Sequence, residues 1–122
     1  MATASPIKDL FNEESDLKPY LEWLSVNTRF KDAIKTPKTE LPIIYILDSI
    51  EYKRTFEEPS LALYAVDSNA IYFDKDYFEG RPDIVIHELV HFFQRKSNED
   101  QDKNKNEVEA RLVQKKFKNQ KY

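Results

Sequence analysis

Apolar positions along the chain change their period as it proceeds. Up to residue 35 they recur at helical spacing. Ile7, Leu10 and Phe11 stand i, i+3, i+4 behind Ser5-Pro6, a pair suited to a cap and first helical position. Leu17, Tyr20, Leu21 and Leu24 form a second stripe, with Ser15-Asp16 as its cap and Pro19 tolerated in the first turn. Phe30, Ala33 and Ile34 make a third short helix that Pro37 stops. These N-terminal short helices are expected to cover one face of the remaining domain.

From residue 40 the pattern turns to strand. Leu41–Leu47 is a β-branched and aromatic run that ends at Asp48-Ser49. After a charged stretch, residues 61–66 and 70–73 are two short apolar runs around Asp67-Ser68-Asn69, which reads as a β-hairpin. Its tip lacks glycine, so Asn69 is the candidate for the left-handed residue. Gly80 and Pro82 then punctuate the entry to a helix over about 82–96, with Pro82 near its first position. Ile84, Val85, Ile86, Leu89, Val90, Phe92 and Phe93 make that helix apolar nearly all round, the signature of a helix buried in its domain. Residues 95–106 read as a polar connection. A last helix is expected from about 107 to 118, with Val108, Leu112, Val113 and Phe117 facing inward.

Composition narrows the function. The 122 residues fit one domain, 1–122, and 13% aromatic content supports a core despite 34% charged residues. There is no cysteine, which excludes disulfides, a thiol nucleophile and thiolate-bound zinc. A single glycine excludes glycine-rich nucleotide loops. Neither a signal peptide nor a membrane-spanning run is visible, so cytoplasmic residence and no membrane partner are expected. Net charge is −3, but residues 101–122 hold seven Lys/Arg against three Asp/Glu. Without an aromatic or arginine-rich signature this basic end reads as a solvated helix face, so no nucleic-acid partner is expected.

Histidine occurs only twice, and both fall in His87-Glu88-Leu89-Val90-His91 on the most buried helix. Residues i and i+4 project from one helix face, so His87 and His91 can hold one metal ion. Glu88 lies about 100° further round, where it can reach a metal-activated water without ligating. Chance placement of this pattern is about one in six hundred, and a helix so apolar buries His-Glu-His only with compensation. Two imidazoles, a third ligand, an open position and a carboxylate base suit Zn2+ hydrolysis. With no third histidine, the third ligand must be a carboxylate. Glu107 and Glu109 fall on roughly opposite faces of the last helix, about 200° apart. Glu109 shares the side of Leu112, Val113 and Phe117 and is the preferred ligand; Glu107, aligned with Ala110, Arg111 and Gln114, is the alternative.

His87-Glu88-Leu89-Val90-His91 followed by Glu109 resembles the gluzincins, the HExxH-plus-distant-Glu zinc metallopeptidases. More narrowly, HELVHFFQ (87–94) and EVEARLVQ (107–114) resemble the HELxHxxQ…ExEA pattern of very small, minigluzincin-like bacterial and phage-encoded metallopeptidases. The resemblance implies an α+β fold: a minimal zincin core with a small antiparallel or mixed sheet and hairpin. That sheet would pack on the buried HExxH helix and a C-terminal ligand helix. It departs from larger gluzincins in having Val113 four residues after Glu109, where those carry an orienting Asp. Their transition-state histidine is also missing, leaving Tyr64, Tyr72, Tyr77 and Arg111 as candidate donors. The function so implied is hydrolysis of peptide bonds in a peptide or protein substrate, with one Zn2+ ion and Glu88 as general base. The rival is a non-catalytic or latent zincin-like metal-binding protein.

Overall fold

A computed structural model describes residues 17–56, 62–75, 81–97 and 102–120, together with the backbone of Ser5–Pro6. Ser5–Pro6 (β1) is a two-residue strand segment rather than a helix start, pairing antiparallel with Ile46 and Tyr45. Proline without an N–H is tolerated there because the segment lies at the sheet edge. The remaining positions of that expected first helix lie outside the described residues.

Helix α1, Lys18–Asn27, carries Pro19 in its first turn and buries Leu21 and Leu24. Its N-cap is Leu17, without a side-chain cap; the expected Ser15-Asp16 cap lies outside the described residues. The third expected helix is a single 3-10 turn, Ala33–Lys35, followed by a second at Lys38–Glu40. Strand β2 is Ile43–Leu47. Behind it comes helix α2, Ser49–Thr55, where only a charged stretch was expected. Its start is legible afterwards: Asp48 caps it, accepting the Glu51 N–H at 2.9 Å, in an Asp-x-x-Glu arrangement.

The hairpin forms as expected, with β3 (Ala62–Ala65) antiparallel to β4 (Ala70–Asp74) and Asn69 left-handed at φ 48°. β2 runs parallel to β4, so the mixed sheet has the order β1-β2-β4-β3, and β3 is an edge among the described strands. Side chains alternate across it. Ile44, Ile71 and Phe73 face the main core, whereas Tyr45 and Tyr72 stack on the opposite face, where Phe56 packs on Tyr72.

Helix α3 spans Pro82–Lys96, as its pattern predicts, and Ile86, Leu89 and Val90 are fully buried in the main core. Helix α4 spans Lys103–Asn119 and so begins inside the expected polar connection; Asp102 caps it through the Lys105 N–H at 3.0 Å. The inward face of α4 departs from expectation. Val108 and Leu112 are 57% and 63% exposed, while Ala110 and Phe117 are buried and Val113 packs at the core margin. A small residue at the crossing lets the two helices approach closely, which a valine or leucine there would prevent. The described chain is thus α+β, with α3 packed against a small mixed sheet and α4 packed on α3. No described helix is long and apolar enough to cross a membrane.

Candidate metal centre

The i, i+4 spacing on α3 brings the His87 and His91 rings together, with Nε2 atoms 3.2 Å apart. The rotation of α4 that buries Ala110 turns Glu107 toward them. Its carboxylate oxygens lie 2.8 Å from His87 Nε2 and 3.4 Å from His91 Nε2. The three side chains offer donor atoms all within 4.8 Å of one another. Electron-rich groups this close repel unless a cation, a proton or a metal ion, lies among them.

Glu109, the expected third ligand, is directed elsewhere. It pairs with Arg29, whose Nη2 donates at 2.9 Å, and it accepts from Gln94 Nε2 at 2.9 Å. The Arg29 hydrogen bond outweighs partial burial and holds the Glu109 carboxyl below its ordinary range. The expectation for Glu109 rested on Leu112, Val113 and Phe117 marking the inward face; Phe117 is buried and Val113 packs at the core margin, but Leu112 is exposed, and the alternative, Glu107, is the carboxylate beside the histidines.

Glu88 is buried beside this group, with its Oε2 3.9 Å from His87 Nε2. Its carboxyl accepts a hydrogen bond from the Tyr64 backbone N–H of the edge strand. Burial, reinforced by the charge of Glu107, pushes its pKa up to about 8. Burial also holds the His87 imidazole below its usual range, against the pull of Glu107. An open cleft of about 600 Å³ runs over the site, bounded by β3 on one side and by α3 and α4 on the other. No family model, curated protein or solved structure matches the chain. The site's chemistry therefore has to be read from its own atoms.

The candidate donors separate by position. Tyr64 and Arg111 line the cleft, but the Tyr64 hydroxyl donates to Asn69 Oδ1 at 2.9 Å. Arg111 is mostly exposed, with its Nε 3.5 Å from Glu107. Tyr72 does not reach the cleft: as the residue between inward Ile71 and Phe73, it stacks on Tyr45 across the sheet's other face. Tyr77 lies outside the described residues.

Three further residues support the site without having been given a role in the sequence. His87 Nδ1 lies 2.7 Å from Gln114 Oε1, and His91 Nδ1 lies 2.9 Å from Gln94 Oε1. Asp83 accepts from Gln114 Nε2 at 2.7 Å and from Arg81. Spacing puts two of them on the ligand faces once Glu107 is known to meet the histidines. Gln94 stands one turn after His91, and Gln114 two turns after Glu107, on the same helix faces.

Proposed function

We propose that this chain is a zinc-dependent metallopeptidase in which His87, His91 and Glu107 hold one Zn2+ ion and Glu88 is the general base. The observation that carries this reading is the convergence of two imidazole nitrogens and one carboxylate beside a buried second carboxylate, at the foot of an edge strand. The donor set fits the ion. Tetrahedral zinc with bonds of 2.0–2.1 Å to nitrogen spaces its donors about 3.3 Å apart, close to the 3.2 Å between the two Nε2 atoms. When bound, the ion supplies a Lewis acid that polarises a carbonyl and makes water a better nucleophile.

The chain's own residues supply the rest. Glu88 receives the attacking water's proton on its carboxylate and returns it to the leaving amine nitrogen. Its high pKa belongs to the site without a cation; a neighbouring positive charge acts in the opposite direction. The Tyr64 N–H holds the carboxyl between the histidines and β3. A peptide extended along β3 by main-chain pairing would bring its scissile bond to that carboxyl. The test is zinc uptake and peptide cleavage by the purified chain beside two variants. Glu88→Gln is expected to keep zinc and lose cleavage, and His87→Ala to lose both. Full cleavage by Glu88→Gln would sink the proposal.

One observation favours a second reading, a metal-binding protein that is latent or does not turn over substrate. The Tyr64 hydroxyl is committed to Asn69, so among the described candidates stabilisation of a developing oxyanion would fall to exposed Arg111. A zinc-loaded protein whose fourth position is filled by one of its own side chains would establish that reading.

A further inference from the structure

We propose that Gln94 and Gln114 are positioning residues that hold both histidines in the Nδ1–H tautomer, so that two Nε2 lone pairs face one point. This rests on reading His87, His91 and Glu107 as a metal centre. Behind each ring stands the same succession of groups: an amide, a carboxylate and a guanidinium. For His87 it is Gln114, Asp83 and Arg81; for His91 it is Gln94, Glu109 and Arg29.

The assignment follows from which atoms can donate. An ionised carboxylate only accepts. Asp83 is held ionised by Arg81, whose Nε and Nη2 both lie 3.1 Å away, and Glu109 by Arg29. The amide nitrogen of each glutamine must therefore face its carboxylate, at 2.7 Å for Gln114 and 2.9 Å for Gln94. A reversed amide would set oxygen against oxygen at those distances. Gln94 is fixed a second time, because the same nitrogen also donates to the Asn106 carbonyl at 2.9 Å and the residue is only 1% exposed. With the nitrogens so engaged, each amide oxygen faces an imidazole Nδ1. An amide oxygen cannot donate, so Nδ1 carries the hydrogen, and Nε2 is left for the ion or, without it, for a proton shared with Glu107, whose oxygen lies 2.8 Å from His87 Nε2.

An outer partner of this kind orients a ligand before the ion arrives and raises its basicity. Here an amide stands where a carboxylate would put a second charge directly behind the ring. Glu107 is then the one anion among the three donors, and the arginine-paired carboxylates stay one residue further out.

The tautomers are read directly from long-range proton–nitrogen correlation spectra of the 15N-labelled, metal-free chain. The spectra are recorded at a pH of roughly 8.5, about two units above the ordinary imidazole value. Both rings are expected as Nδ1–H. Gln114→Met is expected to release His87 alone and Gln94→Met to release His91 alone. Each variant should weaken zinc binding, read by chelator competition, by about 10–100-fold. The exchanged pair Gln114→Glu with Asp83→Asn keeps an acceptor behind His87 and is expected to restore its tautomer. An Nε2–H tautomer on either ring of the unaltered chain overturns the proposal, as do Met variants that keep tautomer and zinc affinity together. Nδ1–H tautomers in a chain that takes up no zinc would support the roles of the two glutamines and count against the metal centre.

Discussion

Two glutamates two positions apart on α4 have different neighbours and therefore different expected costs. Glu107 has an oxygen within 2.8 Å of His87 Nε2, whereas Glu109 reaches the site only through the Gln94 amide. Removing a directly bound anion costs more than removing an outer partner, for which the loss is about 10–100-fold. Glu107→Gln is expected to exceed that range in zinc affinity and Glu109→Gln to stay within or below it, by calorimetric titration of the two variants. Equal losses, or the reverse order, would assign the carboxylate ligand wrongly. Single residues are also where sequence reasoning reached furthest and then stopped. The His87/His91 pairing is internal to one helix, so it was legible from spacing. The choice between Glu107 and Glu109 was not, because it depends on which side of α4 meets α3.

Among the elements, the α3–α4 contact sets that choice. Ala110 is fully buried between the helices, while the larger apolar Leu112 points outward. Ala110→Leu inserts bulk into a close-packed contact, which costs about 1–3 kcal/mol. Because Glu107 lies one turn before Ala110 on the same helix, the displacement should carry its carboxylate away from the histidines. Lower urea stability and weaker zinc binding are expected together. Leu112→Ser, at an exposed position, should change stability by no more than about 0.5 kcal/mol and leave zinc binding alone. A Leu112→Ser variant as damaged as Ala110→Leu would mean that the inward face of α4 is the one its apolar pattern suggests.

Across the whole molecule, two arginine–carboxylate pairs back the site, Arg81 with nearby Asp83 and Arg29 with Glu109, 80 positions away. Burial pushes the Asp83 carboxyl up, but hydrogen bonds from Arg81 and Gln114 outweigh it and hold the carboxyl below its ordinary range. A carboxyl depressed in the folded state contributes stability above its unfolded value, about 3.9. That contribution is lost as pH falls through the lower folded value. Arg81→Met raises the folded value toward the unfolded one, so the variant should lose melting temperature near neutral pH and converge on the parent in strong acid. Thermal melts of the metal-free protein from about pH 7 to pH 2 measure this directly. A gap that stayed constant over that range would show that Arg81 acts by packing alone.

What the sequence by itself determined was local. Helix α3, the hairpin with left-handed Asn69, and two imidazoles on one side of a helix all come from periods, caps and backbone preferences within a few residues. Tertiary structure decided the rest. The apolar pattern of α4 set Val108, Leu112, Val113 and Phe117 inward, yet packing exposed the first two and buried Ala110, because close approach of two helices rewards a small residue at the crossing. That rotation brought in Glu107, sent Glu109 to Arg29, and aligned Gln114 with His87, a pairing across 27 positions. Hydrogen bonds at such separation depend on how folded elements meet, and no local period records that. The sequence marked where a metal could be held; helix packing chose which carboxylate meets the two histidines and which groups stand behind them.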